Sequence, residues 1–198
     1  MNSIESKSGL VAAMLVLAAG IFRADQISTW FERGDAGQTT ATGQLTTGTG
    51  PLTEIKGAIP NLSGVDLFKI RISGAFTAIT ESEFDPMLFL FDYQGNTLLF
   101  NDDGPSFNMQ SLLTGTFAEG DYWVGISFFP NGFDINATGN ANNPGFWDLT
   151  NNSVGGLPYT IRLTGATYSG PSVPDAGTTS AMLGLALFSL AALRRKLG

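Results

Sequence analysis

The chain has 198 residues, 10 Lys and Arg against 17 Asp and Glu, no His and no Cys. Without Cys there is no disulfide framework, and without His there is neither a His-based triad nor an imidazole ligand for a transition metal; the site chemistry left is that of oxygen, which suits calcium. From Asp25 to Gly170 the count is 15 acids minus 5 bases, or −10, a charge that repels phosphate backbones, disfavours nucleic acid and makes cations the natural small partners.

The length suits one domain with end segments, and the Gly, Thr, Asn and Phe content predicts short strands and turns, an all-β body. At the start, MNSIESKSGLVAAMLVLAAGIFRADQ places Lys7 before an apolar run from Leu10 to Ala19. That run has the length of a secretory h-region and is short for a bilayer span, so residues 1–24 read as a signal peptide in helical form, the alternative being an uncleaved N-terminal anchor. Ala18-Ala19-Gly20 and Ala24-Asp25 are its two cleavage candidates. Residues 25–51 form a Gly/Thr-rich N-terminal segment, a linker or a thin edge strand.

Residues 52–168 carry the strand signals. In VDLFKIRI, Phe68, Ile70 and Ile72 alternate with Leu67, Lys69 and Arg71, a half-buried strand. Met87 to Phe91 and Leu98 to Phe100 flank Asp92-Tyr93-Gln94-Gly95-Asn96, a β-hairpin whose two apolar runs predict burial on both faces near the middle of a sandwich. DYWVGISFF aligns Tyr122, Val124, Ile126 and Phe128, and PYTIRLTGA aligns Tyr159, Ile161 and Leu163 against Thr160 and Arg162. Between these last two strands lies a long Asn/Gly-rich loop with Phe133, Phe146 and Trp147. Exposed, these rings form a ligand platform for a sugar or a protein; turned inward, they plug one end of the sandwich.

Asp85 opens one strand of the hairpin and Asn101-Asp102-Asp103 leave the other, so antiparallel pairing brings the four together as a candidate calcium site, the alternative being turn formation by Asn and Asp. Asp92 falls at the opposite pole as a hairpin cap. Glu81, Glu83 and Asp85 hold the carboxylates that a glycan hydrolase would need, but no serine has an evident base, and no catalytic residue is assigned.

The blocks VDLFKIRI, FDPMLFLFDYQGNTLLFNDDG and QSLLTGTFAEGDYWVGIS are similar to the bacterial pre-peptidase C-terminal family, over roughly residues 52 to 165. That resemblance implies a jelly-roll-like antiparallel β-sandwich, an accessory module of secreted proteins, with carbohydrate, collagen or calcium binding among its relatives. The chain departs from the family in having the single Asp66 where many members pair two aspartates, and in its long loop after Phe129.

After a Pro/Gly linker at 169–177, residues 178–198 hold a helix and a basic tail. Ala176 to Leu193 is uncharged, and at about 1.5 Å per residue it nearly matches a hydrocarbon layer of about 30 Å. Arg194, Arg195 and Lys196 then mark the cytoplasmic side. Val173, Pro174, Asp175 and Gly177, the greasy helix and the basic end resemble the sorting tails of exosortase substrates built around Val-Pro-Asp-Ser-Gly, with Ala176 in place of the serine. The resemblance implies an exosortase-type processing protease as partner, transient inner-membrane insertion, and a destination at the cell surface or in the extracellular matrix; hydropathy alone leaves a plain single-span anchor as the alternative. The expectation is a non-enzymatic structural or adhesive protein, stabilised by calcium, among envelope components or extracellular polysaccharide. The alternatives are a carbohydrate-binding module using the aromatic loop and a carboxylate-based hydrolase.

Overall fold

The structure, a computed structural model, describes residues 28–61, 64–105, 109–130, 139–143, 145–147 and 156–170. The expected signal and sorting helices, with Val173, Pro174, Asp175, Gly177, Arg194 and Arg195, lie outside the described residues, as does Phe133. Among the described residues no helix is long and apolar enough to cross a membrane.

The elements are β1 (Thr29–Phe31), β2 (Gln44–Leu45), β3 (Glu54–Ile59), β4 (Val65–Ser82), β5 (Pro86–Phe91), β6 (Thr97–Asn101), β7 (Leu112–Phe128) and β8 (Leu157–Tyr168). The all-β expectation holds. The strands make one eight-stranded sheet in the order β1-β3-β8-β4-β7-β5-β6, with β2 against β4. The antiparallel expectation needs correction, because β1 pairs with β3, and β2 with β4, in parallel. The chain between each such pair is long enough to bring it back in its original direction, which parallel pairing requires and a tight hairpin forbids.

Side-chain alternation sorts the sheet into two faces. Phe68, Ile70 and Ile72 of β4, Leu88 and Leu90 of β5, Val124 and Ile126 of β7, and Tyr159, Ile161 and Leu163 of β8 share the larger cluster. Leu67, Phe89, Phe91 and Trp123 belong to a smaller cluster, closed by Ala141, Phe146 and Trp147. β5 is therefore buried on both faces, as its continuous apolar run predicts. β6 is not: Leu98 is 42% exposed, because β6 ends the sheet and has β5 as its one strand neighbour.

The register of β4 against β7 slips between Ile72↔Gly120 and Gly74↔Phe117, so β7 carries one extra residue there. A bulge of this kind exchanges the faces of every later side chain. It explains why even-numbered Tyr122, Val124 and Ile126 and odd-numbered Leu113 and Phe117 all meet the larger cluster. On β8 the opposing adjustment falls at Gly165, with φ +74° and no room for a Cβ, which would overlap the carbonyl oxygen of Ala75. Gly165→Ala should thus lower unfolding stability by about 3 kcal/mol, combining left-handed strain with a backbone clash; denaturant melts of the two proteins measure this.

Candidate functional site

Pairing of Leu88 with Asn101 sets the start of β5 beside the end of β6, so Asp85 meets Asp102 and Asp103 as the hairpin requires. Burial raises the Asp85 carboxyl pKa above its usual range, and the charges of Asp103 and then Asp102 raise it further. Asp85 Oδ1 is buried without a hydrogen-bond partner. Local turn chemistry engages the other groups. Asn101 Oδ1 accepts the Leu112 N–H at 3.1 Å. Ser111 Oγ lies 2.6, 2.9 and 3.1 Å from the carbonyl oxygens of Pro86, Asn101 and Asp102, among which its single proton is shared. At the opposite pole Asp92 caps the hairpin, accepting the N–H groups of Gln94 and Asn96 at 2.9 and 2.8 Å.

A second carboxylate set was not singled out by the sequence pattern. Glu32 and Asp35 follow β1, Asp66 sits near the start of β4, and a carboxylate oxygen from each lies within 4.8 Å of the others. That spacing is the span of two oxygens on opposite sides of a calcium ion at about 2.4 Å each. Glu32 is held in place by the Ala36 N–H at 3.0 Å and the Ala58 N–H at 2.8 Å. Tyr159 donates its hydroxyl to Asp66 Oδ2 at 2.7 Å. Gly57 leaves the space in which the Glu32 carboxylate and the Tyr159 hydroxyl approach; a Cβ there would overlap both.

Asp66 is fully buried, and its Oδ1 has no hydrogen-bond partner. Burial, followed by the charge of Glu32, pushes its carboxyl pKa up to about 8, against the lowering effect of the Tyr159 hydrogen bond. Glu32 is raised too, chiefly by burial. Three converging carboxylates, one of them on a buried residue with an unpartnered oxygen, fit a hard cation, which would supply a counter-charge. Glu32 and Asp35 were hidden in a segment that reads as a linker; the acidic pair in FERGDAG was the available signal, but its distance from Asp66 in the chain concealed the meeting.

Phe146 and Trp147 are 8% and 5% exposed. Trp147 meets Phe89 edge-on at 5.0 Å and Phe146 meets Phe91 at 5.8 Å, while Trp147 Nε1 donates to the Gln38 carbonyl at 2.8 Å. These rings face the sheet as a plug. Glu81 is engaged by Arg162, one of whose nitrogens lies 2.9 Å from Glu81 Oε2. That hydrogen bond is the main cause of the lowered Glu81 pKa, the opposite of what a general acid needs.

Residues 172–197 match the VPDSG-CTERM motif, the tail that the Val173-Pro174-Asp175 segment resembles. No curated protein matches the chain. Among solved structures it is similar to the pre-peptidase C-terminal domain of collagenase from Bacillus anthracis, at 10% identity and TM-score 0.38, over 70% of this chain and 96% of that one. It is also similar to PliG of Aeromonas hydrophila, a periplasmic inhibitor of g-type lysozyme, at 11% identity and TM-score 0.36, over 71% of this chain and 97% of that one.

The Asp66 shift has a defined sign. Its folded pKa lies above the unfolded value of 3.8, so the folded state binds more protons between the two, and stability is lost as pH rises through that window. In chelator, the thermal midpoint should contain a component that falls from about pH 4 to pH 8, and Asp66→Asn should remove it. Melts at stepped pH test this; equal slopes in both proteins would contradict it.

Proposed function

We propose that this is an exported, non-enzymatic protein of the cell surface or extracellular matrix, with a structural or adhesive role, delivered by an exosortase-type protease. The observation that carries the reading is the match of residues 172–197 to the VPDSG-CTERM motif immediately beyond a β-body whose last described residue is Gly170. Negative charge from Asp25 to Gly170 suits a body that works outside the membrane among cations.

Calcium is the cofactor this reading includes. The set Glu32, Asp35 and Asp66 supports it more directly than Asp85, Asn101, Asp102 and Asp103. The first joins three carboxylates, one of them on Asp66, which is fully buried. In the second, the amide oxygen of Asn101 already serves the Leu112 N–H. Binding at Asp66 would tie the segment after β1 to β4, two parts of the chain that otherwise bring like charges together.

Mass spectrometry of the protein recovered from cell fractions tests the delivery. The expected product lacks its hydrophobic C-terminal segment and lies outside the inner membrane, while Pro174→Ala leaves an uncut, membrane-bound chain. Intact wild-type chain in the cytosol would overturn the reading. For calcium, the thermal midpoint should rise on addition of the ion; at a concentration a hundredfold above the dissociation constant, ligation adds about 2.7 kcal/mol. Asp66→Asn should abolish that rise and Asp85→Asn preserve it. The reverse pattern would move the ion to the β5–β6 end, and no rise in wild type would remove it.

A further inference from the structure

Ser28 and Gly170 bound the described body, and both lie on one side of it. Ser28 Oγ is 2.6 Å from the Tyr168 hydroxyl, and the Thr46 carbonyl accepts the Ser169 and Gly170 N–H groups, each at 3.1 Å. The hydrophobic stretches of the sequence come close to these two points. Six residues of chain lead from Gly170 to Ala176, where the uncharged run to Leu193 opens, and fully extended they span at most about 22 Å. Nine lead from Ala19, the end of the first apolar run, to Ser28, or at most about 32 Å. Both reaches are shorter than the width of a domain of this length, roughly 38 Å. Whichever hydrophobic stretch is in a bilayer, this side of the body is held against it.

What this side presents suits a lipid surface. Phe31 of β1 and Leu45 of β2 are 64% and 55% exposed, and each is near a point where the chain leaves: Phe31 is three residues from Ser28, and Leu45 adjoins Thr46. A reciprocal pair of bonds ties the two segments together. The Arg33 N–H donates to Gln44 Oε1 at 3.1 Å, and Gln44 Nε2 donates to the Arg33 carbonyl at 2.9 Å. The Arg33 guanidinium lies 4.7 Å above the Trp30 ring, so an exposed cation stands on the same edge as the two apolar side chains. Apolar anchors with a cation alongside are the chemistry of an interfacial contact: hydrocarbon takes the side chains, and a lipid phosphate accepts the guanidinium N–H groups. The 15 acids against 5 bases from Asp25 to Gly170 select against anionic headgroups and leave zwitterionic ones.

We propose that the edge carrying Phe31, Arg33 and Leu45 rests on a zwitterionic bilayer while the C-terminal segment is inserted, so that the folded body is docked on the lipid surface. The inference rests on the delivery reading and goes beyond it: that reading inserts residues 176–193, whereas here the β-body itself touches lipid. Two side chains hold weakly by themselves. A short tether makes the contact intramolecular and strengthens it by effective concentration. Cutting the tether removes that gain, and the body leaves the membrane. Until then, docking confines residues 174–177 to the gap between body and lipid.

The chain has no Cys, so a single introduced Cys is its sole thiol-labelling position. Full-length Leu45→Cys, Leu98→Cys and Leu187→Cys variants, each carrying a nitrobenzoxadiazole label in phosphatidylcholine nanodiscs, report on β2, on β6 and on the C-terminal segment. β6 is separated from β2 by β4, β7 and β5, about 19 Å across the sheet, and serves as the control. A nitroxide on the lipid headgroup should quench the label at position 45 about twofold or more and leave that at position 98 unchanged, while a nitroxide in the acyl chain quenches that at position 187. Adding Phe31→Asp to Leu45→Cys should abolish the headgroup quenching with the thermal midpoint unchanged. Equal responses at positions 45 and 98, or quenching that survives Phe31→Asp, would overturn the docking; with position 187 quenched, the delivery reading would stand. An unquenched label at position 187 would overturn both.

Discussion

The pairing of β4 with β7 is the constraint on which the rest of the molecule depends. These are the two longest strands, 18 and 17 residues, and between them they give β8, β5 and β2 their places in the sheet. An uninterrupted ladder of that length would keep one parity of β7 inward throughout. The extra residue between Gly120 and Phe117 switches the parity once, so both halves of β7 bury their apolar side chains in the same cluster. The steric demand at Gly165 follows from the same adjustment, because β8 must pass the bend without a side chain.

Charge is distributed in two ways over this frame. On the open face, cations and anions alternate and compensate one another at the surface, as in the chain of contacts from Lys69 through Asp121 and Arg71 to Glu119. Such exposed pairs contribute little to stability, because water and salt screen them. Beside Tyr159 the arrangement differs: Glu32, Asp35 and Asp66 converge, and Asp66 is driven towards its protonated form, by burial and then by the charge of Glu32. A group held in that state without its full complement of contacts is a cost to folding unless a ligand removes it.

The strands with period-two alternation were legible before any coordinates. Phe68, Ile70 and Ile72, or Tyr159, Ile161 and Leu163, declare their buried side because each polar neighbour faces the other way. The meeting of Asp85 with Asp102 and Asp103 was legible for a related reason, since a hairpin turn fixes which ends come together. β1 and β3 were not, because three residues, or six interrupted by Gly57, leave too short a pattern. Nor could the parallel pairing of β1 with β3 and of β2 with β4 be read, because long connections permit either direction. The acidic set at Asp66 depends on that pairing, so it stayed hidden with it.

Ser28 Oγ and Tyr168 Oη lie 2.6 Å apart, and the Gly48 N–H reaches the Gly170 carbonyl at 2.9 Å. The described body is therefore entered and left at one corner. A mechanical load arriving through one flanking segment and borne by the other would cross only the few bonds there, peeling them in turn while the long ladders beyond stayed slack. Toughness under tension would then belong to that corner, and the deep core would be a bystander until the corner had given way.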